Sequence, residues 1–292
     1  MKKDAISTSA AASGSVSLGG ELTVNRLGFG AMRITGEGIW GPPKDPGAAI
    51  AVLRRAIELG VNFIDTADSY GPNVSEELIA EALSPYPKDL VIATKGGWNR
   101  PGPNQWTHDA SPAHLRKAVE GSLKRLRLDR IDVYQLHVPD PVVPLDASIE
   151  TLAKVQSEGK IRFVALSNVT VEHIERARKI VPIVSVQNRY SFADREWDHV
   201  VDYCERNGIA FIPWFPLGAG TVAGRLLERI AKARRVKSIQ IALAWLLKRS
   251  PIMLPIPGTS SVAHLEENVQ ASSLQLSDNE YLDLTGVTEL AS

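Results

Sequence analysis

Phe63-Ile64-Asp65-Thr66-Ala67-Asp68-Ser69-Tyr70-Gly71 is the stretch on which the fold turns. The apolar run from Val61 to Ile64 ends abruptly in a carboxylate, and Tyr70 and Gly71 follow within six residues. A buried parallel strand that stops at Asp65 and opens into a loop places both side chains at one strand end, where parallel α/β folds keep their catalytic groups. Taken alone, the aspartate is as readily a turn or cap residue, and the tyrosine a half-buried filler. The rest of the chain decides between these readings, because polar residues end strand after strand.

Working outward, Leu27 to Met32 reads as a short strand whose glycines suit the close approach of another backbone or a ligand. Before it, Val16 to Leu18 and Glu21 to Val24, joined by Gly19-Gly20, predict a β-hairpin with a primed turn. After the opening motif, apolar strands at 90–94, 131–136 and 161–166 end at Lys95, His137 and Ser167-Asn168. Strands at 183–186, 209–213 and 252–256 end at Gln187-Asn188, Trp214 to Gly218 and Pro257 to Ser260. Helices lie between them, marked by cap-then-proline starts at Asp45-Pro46 and Ser111-Pro112, by stops at Gly60, Gly159 and Gly208, and by a capping box at Ser277 to Glu280. Eight strands alternating with helices predict a parallel sheet closed into a (β/α)8 TIM barrel, with a doubly wound open sheet as the alternative. The Gly-x-Gly-x-x-Gly fingerprint after the first strand is missing, which weakens a dinucleotide site of the open-sheet type.

The 292 residues fit one such barrel, and no composition break divides them. The expectation is a disordered tail over 1–14 and one barrel domain with its hairpin over 15–292. Lys plus Arg equal Asp plus Glu at 33 each, which argues against a nucleic-acid partner. A single cysteine, Cys204, and the absence of an apolar run long enough to span a bilayer point to the cytoplasm and to no membrane. A monomer or weak homo-oligomer is expected, with no bound metal.

Asp65, Lys95 and His137 close three successive strands, and Tyr70 follows the first. In a barrel all four converge on one mouth, where they suit protonation of a carbonyl oxygen while hydride reaches its carbon. A lysine ammonium beside Tyr70 lowers the phenol's pKa, an aspartate keeps that lysine charged, and the histidine orients the carbonyl. A lysine at a strand end also permits a second chemistry, a Schiff-base aldolase with Lys95 as nucleophile.

The nine-residue opening stretch, Ala93-Thr94-Lys95, Tyr134-Gln135-Leu136-His137, Ala165-Leu166-Ser167-Asn168, Val186 to Tyr190 and Ile256 to Thr259 together resemble the signatures of the aldo-keto reductase family. The resemblance runs from Val16 onward. It implies a catalytic tetrad of Asp65, Tyr70, Lys95 and His137 that reduces aldehydes or ketones with a nicotinamide cofactor, Tyr70 acting as general acid. It also implies cofactor positions: Gly30, Ala31 and Met32, with Arg33, at the nicotinamide and substrate side, and Ser167, Asn168 and Gln187 on the carboxamide. Trp214 is to stack on the ring. Asp65 also counts among these contacts, as do Phe215, Pro216, Leu217 and Gly218, the last two at the pyrophosphate. Gly258, Thr259, Ser260, His264, Glu267 and Asn268 are to surround the adenosine end.

NADPH is the expected cofactor; Gly258 and His264 stand where many members carry the Lys and Arg that grip its 2′-phosphate, so NADH is the alternative. Short segments after Gly218 and after the last capped helix imply an open site. Within the family, the Phe-Pro-Leu-Gly and Pro-Gly-Thr-Ser-Ser-Val segments resemble a branch of bacterial pyridoxal reductases, and so imply pyridoxal as a small-molecule substrate. Some barrels of the family serve instead as regulatory subunits of channels, and the intact tetrad argues against that role here.

Overall fold

The computed structural model describes residues 9–217 and 224–289, with side chains through 286. A hairpin of β1 (Ser15–Leu18) and β2 (Leu22–Asn25) comes first and is followed by the first sheet strand, β3 (Phe29–Gly30). Then α1 (Pro46–Glu58), β4 (Phe63–Asp65), α2 (Val74–Leu83) and β5 (Val91–Gly96) alternate. A small two-stranded excursion, β6 (Trp98–Asn99) and β7 (Thr107–His108), precedes α3 (Pro112–Leu126) and β8 (Ile131–Leu136). Next come α4 (Leu145–Ser157), β9 (Ile161–Ser167), α5 (Val171–Arg178) and β10 (Ile183–Arg189). The chain finishes with α6 (Asp198–Arg206), β11 (Ala210–Trp214), α7 (Arg225–Arg234), α8 (Ser238–Arg249), α9 (Val262–Gln270) and α10 (Asp278–Glu289).

The helix starts follow from local chemistry. Asp45 accepts from Ala48 N and Ser111 from His114 N, each just ahead of a proline that needs no N–H partner. Ser277 and Glu280 satisfy each other's backbone as the capping box requires. Gly60 takes a φ of 79°, the left-handed stop that glycine makes at no steric cost.

Seven strands pair in parallel in the order β11-β10-β9-β8-β5-β4-β3. The expected eighth strand, 252–256, does not extend the ladder. Pro255 and Pro257 carry no N–H to donate, so the segment makes only a bridge. It nonetheless joins both edges: Leu254 N and Ile252 O bond Phe211, and Pro255 O accepts from Gly28 N, closing the sheet into a barrel. Gly30 fulfils the expectation of close backbone approach, since a Cβ there would stand 2.7 Å from Ile256 O.

Inside the barrel, Phe63, Val91, Val133, Val184, Ala210 and Leu254 pack with Val16, Leu18 and Val24 of the hairpin. The hairpin therefore stoppers the N-terminal end of the strands and leaves the C-terminal end open. Its turn carries positive φ at both Gly19 and Gly20 as expected, with Glu21 as one extra residue before Leu18 pairs with Leu22.

The tail expectation needs correction over its second half. Ala10–Ser13 form a 3-10 turn capped by Ser9, and Ala10 is buried with Ala10 N bonded to Leu59 O. Burial and these bonds hold it; residues 1–8 lie outside the described residues. Among the described residues no helix is long and apolar enough to cross a membrane.

Candidate active site

At the open end, strand alternation aims side chains inward every second residue, and β4, β5, β8 and β10 each contribute one polar group. Asp65 and Lys95 form an ion pair of 2.6 Å with side-chain exposures of 3% and 0%. An isolated buried charge is costly, and here both carboxylate oxygens and all three ammonium protons are engaged. Asp65 Oδ1 accepts from Gln135 Nε2 at 2.8 Å and Gln187 Nε2 at 2.9 Å, while Oδ2 takes the lysine. Lys95 Nζ spends its three protons on Asp65, on Thr66 O at 3.0 Å and on Tyr70 Oη at 3.3 Å. An ammonium cannot accept, so Tyr70 Oη is the acceptor in that contact. Its own proton is left to face the cavity, with no acceptor among the described residues.

Burial lowers the Lys95 pKa, but Asp65 and Tyr70 outweigh it and the pKa rises, so the amine stays an ammonium. That, with all three N–H groups engaged, removes the Schiff-base reading. Burial pushes the Tyr70 hydroxyl up, and Lys95 opposes the rise without reversing it. This corrects the expectation of a net lowering: desolvation of the phenolate wins before any ligand is bound. Burial and the nearby Lys95 hold His137 well below the usual imidazole range, so it is neutral. Its ring stands edge-on to Tyr70 at 5.9 Å, and Ser69 Oγ faces its Nδ1 at 3.5 Å.

A cavity of about 1150 Å³ opens over these groups. Tyr70, His137 and Asp65 reach it, whereas Lys95 acts from behind Tyr70. Ser167, Asn168, Gln187 and Trp214 line its middle, followed by Phe215, Pro216 and Leu217. Gly258, Thr259, Ser260, His264, Glu267 and Asn268 line its far end, where α9 begins with Ser261 as its cap. Gly30, Met32 and Arg33 complete the near wall. Ala31 does not: it is fully buried, and its carbonyl accepts from Ser75 Oγ. Gly218 lies outside the described residues.

A nicotinamide carboxamide needs a donor for its oxygen and an acceptor for its amide. Gln187 spends its NH2 on Asp65 and Gln135 but keeps Oε1, and Ser167 accepts from Asn168 but keeps its hydroxyl proton. Asn168 holds the left-handed φ of 57° that its residue type tolerates, donates to His137 O at 3.0 Å and accepts from Trp214 Nε1 at 3.0 Å. It thus fixes the indole ring at the cavity wall. The residues present fit a nicotinamide dinucleotide.

Three contributors escape a reading by strand ends. Gln135 precedes His137 by two residues and so shares its inward face, a signal the two-residue period contains. The Thr66 carbonyl has no side-chain signature at all. Lys237, which lines the far end and pairs with Glu267, is the N-cap of α8, remote in sequence from every strand end.

The aldo/keto reductase family model matches residues 26–289. An uncharacterised oxidoreductase of Schizosaccharomyces pombe is 52% identical over 99% of this chain and 96% of its own. The pyridoxine 4-dehydrogenase of Escherichia coli is 47% identical over 92% of this chain and 96% of its own. A crystal structure of an aldo/keto reductase from Klebsiella pneumoniae, in complex with NADP and acetate, superposes with a TM-score of 0.80 at 27% identity, covering 94% of this chain and 95% of the other.

Proposed function

Because the chain belongs to the aldo/keto reductase family, we propose that its cavity binds NADP(H) and that Asp65, Tyr70, Lys95 and His137 carry out reduction of an aldehyde or ketone to an alcohol. The observation that carries this reading is the run of bonds from Gln135 and Gln187 through Asp65 and Lys95 to a Tyr70 proton that faces the cavity. Ser167 and Gln187 would hold the carboxamide, Trp214 would cover the ring, and the first turn of α9 with Thr259 and Ser260 would receive the phosphate end. When bound, a nicotinamide cofactor would supply the hydride for the carbonyl carbon. Tyr70 gives its proton to the carbonyl oxygen, and the Lys95 ammonium stabilises the phenolate left behind. Asp65 keeps Lys95 charged and in place. Neutral His137 orients the carbonyl without adding a second cation that would raise the cost of the lysine.

The substrate we assign is a planar aromatic aldehyde, pyridoxal first. Two features support it: Trp98 and Trp106 line the cavity beside Tyr70 and His137, and a relative at 47% identity is a pyridoxine 4-dehydrogenase. The protein works in the cytoplasm as a monomer or weak homo-oligomer. Buried Cys204, its thiol pushed up to about 12 by burial, suits a reducing compartment. Val142 and Leu282 are the large apolar side chains exposed among the described residues.

Following NADPH absorbance across a panel of carbonyls tests the reading. Pyridoxal and other aromatic aldehydes should be consumed with higher kcat/KM than propanal. A protein that oxidises NADPH with no carbonyl of the panel would overturn it.

A further inference from the structure

Arg100 follows β6 and enters none of the strand-end chemistry, yet all three of its guanidinium nitrogens are engaged at the mouth of the barrel. Nη1 donates to Ser69 O at 2.9 Å, Nη2 to Gly38 O at 3.1 Å and Nε to Gln105 O at 2.9 Å. Its Cζ lies 3.7 Å from the Trp106 ring centroid and 5.7 Å from that of Trp40. Among the described residues it has no carboxylate partner; three main-chain carbonyls and two aromatic faces take its charge.

Each bond ends on a segment that carries a wall of the cavity. Ser69 immediately precedes Tyr70, Gly38 immediately precedes Ile39, and Gln105 immediately precedes Trp106; Ile39, Tyr70 and Trp106 all line the cavity. The Gly36 to Gly41 turn is in addition laced to the tyrosine loop, since Gly71 N donates to Ile39 O and Gly41 N to Gly71 O. Three loops from three different βα units therefore meet at one side chain. A planar fork with donors on three nitrogens spans carbonyls on three separate loops; a lysine has three donors but on one nitrogen, without that spread.

We propose that Arg100 is a positioning residue that sets the shape of the substrate-facing wall and so selects planar aromatic aldehydes. Tyr70 keeps independent anchors in Lys95 Nζ and in the bonds Tyr70 N to Ala67 O and Ser75 N to Tyr70 O. Loss of Arg100 therefore loosens Ile39 and Trp106 more than it displaces the acid. Its effect falls on substrate binding and on selectivity, and leaves the far end of the cavity, where the cofactor's phosphates sit, as it was. This inference rests on the carbonyl-reductase reading above.

The test compares the parent with Arg100→Ala and Arg100→Lys, using 4-nitrobenzaldehyde and propanal with NADPH. Arg100→Ala should raise KM for the aromatic aldehyde by roughly tenfold or more while kcat falls by less than about threefold, a loss of binding common to ground and transition states. KM for propanal, too small to span the wall, should hardly move. NADPH affinity, read from intrinsic fluorescence, should match the parent. Millimolar guanidinium should lower the raised KM of Arg100→Ala, and Arg100→Lys should resemble Arg100→Ala.

Equal losses for both aldehydes accompanied by weakened NADPH binding would reduce Arg100 to a general structural role and overturn the proposal. Parent-like constants for the aromatic aldehyde in Arg100→Ala would overturn it as well. A parent inert toward both aldehydes would instead remove the reductase reading, and this inference with it.

Discussion

Tyr70 is the residue at which the chemistry can be isolated. Tyr70→Phe removes the phenol proton that faces the cavity and keeps the ring that stands against His137. Turnover should fall by roughly 10²–10⁴-fold, the contribution of a positioned general acid, with NADPH affinity unchanged. Single-turnover hydride transfer, seen as loss of reduced-nicotinamide absorbance, separates this from cofactor release; parent-rate transfer in the variant would mean the acid lies elsewhere. Lys95→Met should act through the same proton, and the double variant should be little worse than the poorer single one.

Beside this set sits a carboxyl of different character. Asp68 is 9% exposed, its Oδ1 has no hydrogen-bond partner among the described residues, and burial and the nearby Glu76 push it up to about 8 against the opposing charges of Arg125 and Lys95. A folded pKa above the unfolded value favours the protonated form in the native state, so stability is full below the unfolded carboxylate pKa near 4 and is lost as pH rises toward 8. Asp68→Asn, neutral throughout, should flatten that decline. Urea midpoints measured at pH 5 and pH 9 should therefore diverge, the variant gaining over the parent at pH 9. A gain of equal size at both values would show that Asp68 is already ionised at the lower one. Asp65, Tyr70, Lys95 and His137 were legible from strand ends because polar residues there have no core role. Asp68 was not marked out, because its neighbours Glu76, Arg125 and Tyr134 come from three other elements.

Between elements, one buried tie outside the site fastens α2 to β5 and α3. Glu76 is fully buried, accepts from Thr94 Oγ1 at 2.6 Å and pairs with Arg125 Nε at 2.6 Å. Breaking such a pair from one side strands a charge away from water, so Arg125→Met should cost about 3–5 kcal/mol. The double change Glu76→Gln with Arg125→Met removes the charge together with its partner and should recover a large part of that loss. Denaturation of both single variants and the double one gives the coupling directly; additive losses would mean that the two side chains do not stabilise one another. Elements themselves were well marked in the chain wherever a local rule governs them: caps at Asp45, Ser111 and Ser277, and stops at glycine. The segment 252–256 misled because its apolar content is that of a strand while Pro255 and Pro257 deny it a ladder. Ala10–Ser13 misled because a run of small residues looks like a tail until Leu59, far along the chain, supplies its carbonyl.

At the scale of the whole molecule, barrel closure is what brings residues from β4, β5 and β8 to one end and the first turn of α9 to the other end of the same cavity. The separation lets the cofactor's selectivity be altered without touching the chemistry. At the far end the cavity offers His264, an imidazole rather than a guanidinium, and Lys237, whose ammonium is already paired with Glu267. A 2′-phosphate arriving there meets a cation that shares its charge with a carboxylate, plus the N–H groups of the α9 N-terminus. NADPH should therefore bind more tightly than NADH by a small margin. His264→Arg places a fork able to grip phosphate bidentately and should widen the margin by about tenfold, or roughly 1.4 kcal/mol. Lys237→Met should narrow it by leaving Glu267 unopposed. Both changes should move NADPH and leave NADH nearly still, and both should fade as salt screens the exposed charges. Titrating intrinsic fluorescence with each dinucleotide, at low and high salt, reads all of this, since Trp214 lines the same cavity. Equal affinities for the two cofactors in the parent, with no gain in His264→Arg, would show that the 2′-phosphate is held by neither side chain.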